Sequence, residues 1–167
     1  LTTVDMSALT SVGGSLDASD NASVSSLDLG ALTTVGGSLD ASSNASLSSL
    51  DLSALTTASG DLDISGNTAA DPIGLSSLTT VGGDLILSGN TNVGAINMGS
   101  LTTVSGDLTI TSNAPDAVVD LNSLTTFGCG ANEVTMTLDG GTVQMTNGLT
   151  LCTNATLTGS TTVDGSV

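Results

Sequence analysis

The chain has 167 residues, enough for one domain with a substantial core, and only 1% of them are aromatic. It contains no Lys, Arg or His against 16 acidic residues, so its net charge is −16 at pH 7. This charge excludes the usual electrostatic binding of nucleic acid or of an anionic membrane surface, and it removes His as a base or metal ligand. No apolar stretch approaches the ~20 residues of a membrane-spanning helix, so no membrane insertion is expected.

The first residues align with the middle of a repeat. Leu1, Val4 and Met6 match Val24, Leu27 and Leu29. No Met or charged segment precedes Leu1, so no signal peptide is visible, and we expect a processed form. An uncapped solenoid end exposes its core and its strand edges, which predicts head-to-tail self-association. The other interpretation, which stays open, is that a cap was removed by processing or lies in another part of the protein.

A repeat of 23 residues follows. The same pattern opens at Leu9, Leu32, Leu55, Leu78 and Leu101, and a sixth copy at Leu124 soon breaks. A fixed period in this range is typical of a solenoid, in which one coil cannot bury its apolar face alone. The pattern predicts an all-β fold, a parallel β-solenoid (β-helix) of about five to six coils.

Apolar residues alternate with polar ones at two places in each repeat. The first alternating pair of columns is Leu16, Leu39, Leu62, Leu85, Leu108 with Ala18, Ala41, Ile64, Leu87, Ile110. The second pair is Leu27, Leu50, Ile73, Ile96, Val119 with Leu29, Leu52, Leu75, Met98, Leu121. Alternation with a period of two predicts a strand with one face inward, so each coil should contain two short strands.

Two further columns indicate turns. The glycine column predicts a positive φ or a close backbone approach, and consists of Gly14, Gly37, Gly60, Gly83 and Gly106. The asparagine column predicts a structural ladder, in which stacked side chains bond the turn amides of their own and neighbouring coils. Its members are Asn21, Asn44, Asn67, Asn90 and Asn113.

The repeat reads L-x-x-V-G-G-x-L-x-(A/I/L)-x-x-N-x-x-(V/L)-x-x-L-x-L-x-x-L and covers residues 1–128, which we treat as the repeat solenoid. It resembles the repeat of the receptor L domain, a relative of leucine-rich repeats. The resemblance implies a right-handed parallel β-helix of the kind used in cell-surface receptors and in microbial surface and wall proteins. The chain departs from that family in lacking aromatic and basic residues, which argues against receptor-type ligand binding.

Residues 129–167 lose the period but still alternate, with turn signals at Asp139-Gly140-Gly141 and Asn147-Gly148. They predict either a compact β-rich cap, which would also serve as an assembly segment, or further coils of looser period. Cys129 and Cys152 are one repeat apart, so a disulfide between neighbouring coils is favoured over two buried free cysteines. A disulfide would place the protein outside the cytosol.

Acidic residues recur at equivalent outward-facing positions of successive repeats and so form columns. Metal-binding candidates, for calcium as a possible cofactor, are Asp61, Asp84, Asp107, Asp28 and Asp51. No calcium-loop motif accompanies them, so a solvated acidic face is the favoured interpretation. Consecutive Thr pairs such as Thr33-Thr34 favour turn and solvation roles over an ice-binding array, which needs Thr at alternate positions.

Sequons begin at Asn21, Asn44 and Asn154. The first two belong to the asparagine column, where burial would block a glycan, so Asn154 is the glycosylation candidate. No catalytic grouping appears, because the chain has no His, no Lys and no nucleophile beside a base. We therefore expect no enzyme and no resident cofactor.

Two functions remain open from the sequence. The first is a non-enzymatic extracellular structural protein, a surface or filament subunit that assembles through its solenoid ends. The alternative is a cell-surface adhesion or binding module that uses its acidic, Ser- and Thr-rich face for calcium, glycan or mineral.

Overall fold

The computed structural model describes residues 1–68, 72–127, 133–139, 141–152, 154–159 and 162–164, which contain β-strands and no helix. No segment of this described part is therefore a helix that could span a membrane. In chain order the strands are β1 Thr3–Asp5, β2 Ser11–Val12, β3 Leu16–Asp17, β4 Ser26–Asp28, β5 Thr34–Val35, β6 Leu39–Asp40, β7 Ser49–Asp51, β8 Thr57–Ala58, β9 Leu62–Asp63, β10 Ile73–Gly74, β11 Thr80–Val81, β12 Leu85–Ile86, β13 Ala95–Asn97, β14 Thr103–Val104, β15 Leu108–Ile110, β16 Val118–Asp120, β17 Thr126–Phe127, β18 Val134–Leu138, β19 Thr142–Gln144, β20 Thr150–Leu151, β21 Ala155–Thr158 and β22 Thr162–Asp164.

Every third strand joins the same face. The first face is β1-β4-β7-β10-β13-β16-β19-β22, the second is β2-β5-β8-β11-β14, and the third is β3-β6-β9-β12-β15-β18-β21. Strands β17 and β20 pair with each other, and β17 packs against β14 at the end of the second face. The pairs are parallel, as in Val4 with Leu27. The predicted parallel β-solenoid is confirmed.

The core is a stack of aliphatic columns. Repeat-related residues pair in register, so that Leu39 lies between Leu16 and Leu62 on the third face. From the second coil onward the column residues are almost fully buried, with Leu32, Val35 and Leu39 all at 0% exposure. Burying an aliphatic side chain of this size contributes about 1.5–3 kcal/mol, so each coil is held mainly by its two neighbours.

Each coil contains three strands, whereas the alternation predicted two. The missed strands are those of the second face, such as β5, which has only two residues. In β5 only Val35 points inward, and Gly36 and Gly37 follow it directly, so no period of two can be seen there.

The C-terminal strands add further coils. Leu108 of β15 pairs with Met136 of β18, 28 residues later, and Thr142 of β19 pairs with Thr162 of β22, 20 residues later. The period is therefore looser than in the repeats, while the parallel pairing continues. Among the described residues, these strands therefore extend the parallel stack of the repeats. A cap or assembly segment in residues 129–167 stays a prediction.

Candidate functional site

A ladder of asparagine side chains runs along the stack. The Oδ1 atom of Asn67 accepts a bond from the backbone N–H of Asn44 at 3.0 Å, and its Nδ2 donates to Ala41 O at 2.9 Å and Ile64 O at 3.0 Å. The same Oδ1 bond joins Asn21 to Asn44, Asn67 to Asn90, and Asn90 to Asn113, at 2.9–3.0 Å. Asn44, Asn67 and Asn90 are at most 1% exposed. These side chains satisfy backbone groups that water cannot reach.

Two members of the asparagine ladder differ from the others, the first, Asn21, and the fourth, Asn90. Asn21 is exposed, and its Nδ2 donates to Ala18 O and Ser19 O within its own turn. Burial therefore blocks the sequon at Asn44, as expected, but does not cover the one at Asn21. Further along, the Nδ2 atom of the buried Asn90 has no hydrogen-bond partner among the described residues.

The residue before each ladder asparagine has a left-handed backbone. These residues are Asp20, Ser43, Gly66, Gly89 and Ser112, with φ between 55° and 70°. Only glycine adopts this conformation without strain, so three of the five positions store strain. The signal in the sequence was the Gly-Asn pair at Gly66 and Gly89.

A second ladder, which the sequence did not predict, runs the other way along the stack. The side-chain oxygen of Asp61 accepts the backbone N–H of Asp84 at 2.9 Å, and Asp84 does the same for Asp107 at 2.8 Å. Asp107 in turn accepts the N–H of Thr135 at 2.7 Å. In the earlier coils a serine hydroxyl is the acceptor: Ser15 accepts the N–H of Ser38, and Ser38 accepts that of Asp61. Three of the five metal candidates, Asp61, Asp84 and Asp107, therefore accept a backbone N–H from the following coil.

The glycine column makes room for this second ladder. A Cβ on Gly60 would lie 2.6 Å from the Ser38 hydroxyl oxygen, and a Cβ on Gly83 would clash with Asp61 Oδ1. The column has no positive φ, so of the two predicted reasons for glycine the close approach applies. Gly14 belongs to the first coil, and a Cβ there would meet nothing within 4 Å.

The other two metal candidates cap turns. Asp28 accepts the N–H of Gly30 at 3.0 Å, and Asp51 accepts that of Ser53 at 3.0 Å. Hydrogen bonds from the hydroxyl and the amide of Ser53 lower the pKa of Asp51, and Ser7 lowers the pKa of Asp5 in the same way. The turns of Asp51 and Asp5 thus favour the ionised state of these two carboxylates.

The acids form columns rather than a pocket. Asp17, Asp40 and Asp63 pair in register along the third face, about 4.8 Å apart. Among the described residues, no group of three or more Cys, Asp or Glu side chains could hold a metal ion. The arrangement provides a charged surface and does not provide a coordination cage.

The threonine pairs have two separate roles. The first residue of each pair bonds back to the preceding coil, as Thr56 Oγ1 does to Thr33 O at 2.9 Å. The second is a strand residue of the second face, where Thr57 pairs with Thr34 and Thr80. The expected turn role therefore fits only the first residue of each pair.

The remaining candidates lie in the C-terminal coils. The N–H of Cys152 donates to Phe127 O at 3.0 Å, while Cys129 lies outside the described residues, so the disulfide stays a prediction. Asn154 is half-buried, and its backbone oxygen accepts the N–H of Val134 at 3.0 Å. Its glycosylation also stays a prediction.

No family model, no curated protein and no solved structure matches this chain. The resemblance to the receptor L repeat thus depends on the repeat motif itself. Function has to be argued from the ladders, the columns and the ends of the stack.

Proposed function

We propose that this protein is a non-enzymatic, extracellular structural protein, a surface or filament subunit that assembles through the ends of its solenoid. One observation carries the proposal: within the described structure, the first coil has a strand edge that no other strand covers. Strands β1, β2 and β3 each have only one strand neighbour in the described sheets. An unpaired parallel edge can add another strand.

The apolar columns are incomplete at this end. In the first coil Val4, Leu16 and Ala18 are only partly buried, whereas the equivalent Leu27, Leu39 and Ala41 of the next coil are at most 2% exposed. A preceding coil covers the second set, whereas within the described structure no coil covers the first. A further coil on the first would therefore bury apolar surface, which is the main favourable contribution to association.

The open end also offers a shaped cavity and a hydrogen-bond acceptor. An apolar cavity of about 190 Å³ lies between residues that include Val4, Met6 and Leu16, with Asn21 at its edge. In the inner coils the ladder Oδ1 atom accepts an N–H from the preceding coil, whereas that of Asn21 has no such partner among the described residues. A docked coil would supply one.

A second copy of this chain fits the template. Strand β22, Thr162–Asp164, is at the opposite edge of the first face and has the same sequence as β1, Thr3–Asp5. Stacking β22 on β1 would align Thr with Thr, Val with Val and Asp with Asp. This repeats the internal register, in which Val4 pairs with Leu27 and Asp5 with Asp28. Such a head-to-tail contact does not close on itself and propagates into a filament.

Two variants of adjacent residues test the proposal. Val4 points into the core and Thr3 points outward, as the burial of β1 shows. Val4→Asp should abolish assembly of the 167-residue chain, because it places a charge in the contact. Thr3→Asp adds the same charge on the outward side of the strand, away from the apolar part of the contact, and should preserve assembly. Light scattering across a concentration series and electron microscopy would measure both. A monodisperse monomer of the unmodified chain at high concentration, in calcium and at neutral pH, would rule the filament out.

The in-register acids favour a second candidate, a surface binding module for cations, glycans or mineral. The columns Asp5-Asp28-Asp51 and Asp17-Asp40-Asp63 repeat carboxylates about every 4.8 Å on two faces. Calorimetry with calcium and a glycan array test this function. Tight saturable binding would favour it over the structural role, and no heat and no retained glycan would remove it.

A further inference from the structure

The second face carries a regular array of threonines. Along it Ser11, Thr34, Thr57, Thr80 and Thr103 pair in register, one per coil. Neighbouring strands lie about 4.8 Å apart, so the outward side chains repeat at that interval. We call this surface the threonine face, and it also includes the residues that precede the strands, namely Thr10, Thr33, Thr56, Thr79 and Thr102.

The two columns of the threonine face differ in their hydrogen bonds. The hydroxyl of each flanking residue donates to the carbonyl of the preceding coil, at 2.9 Å from Thr33 to Thr10 and at 3.0 Å from Thr79 to Thr56. These side chains are therefore held in one position. The hydroxyls of the strand column differ. In the described structure the Thr34 and Thr103 hydroxyls have no protein partner, and both residues are exposed. These hydroxyls are therefore available to bind a ligand on the face.

The strands of the threonine face carry no charge, although the protein carries a net charge of −16. Segments 30–37, 53–60, 76–83 and 99–106, which form it, contain no acidic residue. Acid columns lie on the other two faces, as with Asp28 on the first and Asp40 on the third, and the ladder acids Asp61, Asp84 and Asp107 lie at the turn that follows the threonine face. Beside the threonines the next outward positions are small and exposed, and are occupied by Gly36, Ser59, Gly82 and Ser105.

These properties do not suit a discrete macromolecular partner. Five strands at ~4.8 Å and a width of about 12 Å give roughly 300 Å², well below the ~800 Å² per partner of a stable protein interface. Protein-binding faces are also enriched in aromatic residues, and the one aromatic side chain of this chain, Phe127, is 2% exposed. A second copy or a protein ligand on this face would therefore bind weakly.

The regular spacing, the hydroxyl groups and the absence of charge on the threonine strands instead suit the surface of ice. The consecutive spacing of the threonines favoured turn roles over ice binding, but in the structure both members of the pair Thr33-Thr34 are exposed. We propose that the threonine face binds the surface of ice crystals. Its repeat along the stack is close to the second-neighbour oxygen spacing of ice, and its hydroxyls can donate to and accept from lattice water. Fixed methyl groups and a rigid backbone hold adjacent water in one arrangement at no further cost in side-chain entropy. Carboxylates would instead impose their own hydration shell, and the strands of this face have none.

The test compares one substitution on two faces. Thr80 lies on the threonine face, and Thr109 is an equally half-buried strand residue of the third face. Thr80→Tyr interrupts the column of threonines while retaining high strand propensity, and Thr109→Tyr makes the same change elsewhere. We expect the unmodified chain to show thermal hysteresis and to shape ice crystals. Thr80→Tyr should lose most of this activity, a several-fold decrease, and Thr109→Tyr should keep it.

The outcomes separate this proposal from the filament. No hysteresis and no crystal shaping by the unmodified chain would overturn ice binding, as would an equal loss in both variants. Retention on crystalline cellulose or chitin that Thr80→Tyr abolishes, without any effect on ice, would also overturn it and assign the face to glycan. Circular dichroism of both variants checks that the solenoid is intact. Assembly through Val4 is measured separately and does not affect these readouts.

Discussion

Replacing the central ladder asparagine should cost far more stability than replacing the terminal one. Asn67→Ala leaves two buried backbone groups without partners, the N–H of Asn44 and the carbonyl of Ile64. Ala41 O keeps its bond from Asn44 Nδ2. A buried polar group left unsatisfied costs about 1–3 kcal/mol, so the two together lower the free energy of unfolding by about 2–6 kcal/mol.

Asn21→Ala is the matched control, because it removes the same side chain from the same register position. Asn21 is exposed, so water replaces its bonds to Ala18 O and Ser19 O, and we expect a loss of about 0.5 kcal/mol. A third variant, Asn67→Leu, fills the volume but leaves the same two groups unpaired. It should be as unstable as Asn67→Ala if hydrogen bonds, and not packing, are responsible.

Urea unfolding followed by circular dichroism measures all three variants, with the free energies taken from the midpoints and slopes. The reasoning would be refuted if Asn67→Ala and Asn21→Ala differed by less than about 0.5 kcal/mol. Recovery of stability in Asn67→Leu would instead mean that a cavity, and not the ladder bond, sets the cost.

Three further predictions follow from the turns and the cysteines. Gly83→Ala should destabilise the chain by more than 1 kcal/mol through its clash with the side chain below, while Gly14→Ala, which meets nothing, should be within about 0.5 kcal/mol of the unmodified chain; equal losses in urea unfolding would contradict the close approach. Hydrogen bonds in its turn lower the pKa of Asp51 below its ordinary value of 3.8. The turn therefore stabilises the fold fully when the pH is above 3.8, and this contribution disappears as the pH falls through the lower folded-state pKa. Asp51→Asn should therefore weaken the dependence of unfolding on acid, and superimposable pH profiles would argue against this role. Non-reducing peptide mapping should recover Cys129 and Cys152 in one linked peptide, and alkylation of both thiols without reductant would disprove the disulfide.

The apolar columns and the asparagine column could be predicted because they recur without interruption. Leu39 and Ala41 alternate on one strand, and Asn44 always follows at the same distance. A column of this kind has one physical solution, a stack in which like residues lie on like residues. The fold class and the positions of the buried residues therefore came from the sequence.

The features that could not be predicted have no such regular sequence pattern. The strand of Thr34 and Val35 has a single inward residue, too few to show alternation. The second ladder changes from Ser38 to Asp61, although the oxygen performs the same task in both. The left-handed positions are occupied by Asp20 in one coil and glycine in others. In each case the backbone geometry is constant while the residue type varies, and a sequence displays only the residue type.

The two ladders make a whole coil the natural unit of evolutionary change. Excision of residues 32–54 would join Ala31 to Leu55, which reproduces the original junction of Ala31 with Leu32. The side chain of Asn67 would then meet the N–H of Asn21, which Asn44 meets now, and every other ladder step would keep its partner. Unequal recombination between the repeats of the gene can thus lengthen or shorten the rod by ~4.8 Å at a time. The surface chemistry and both ends of the rod would be inherited unchanged.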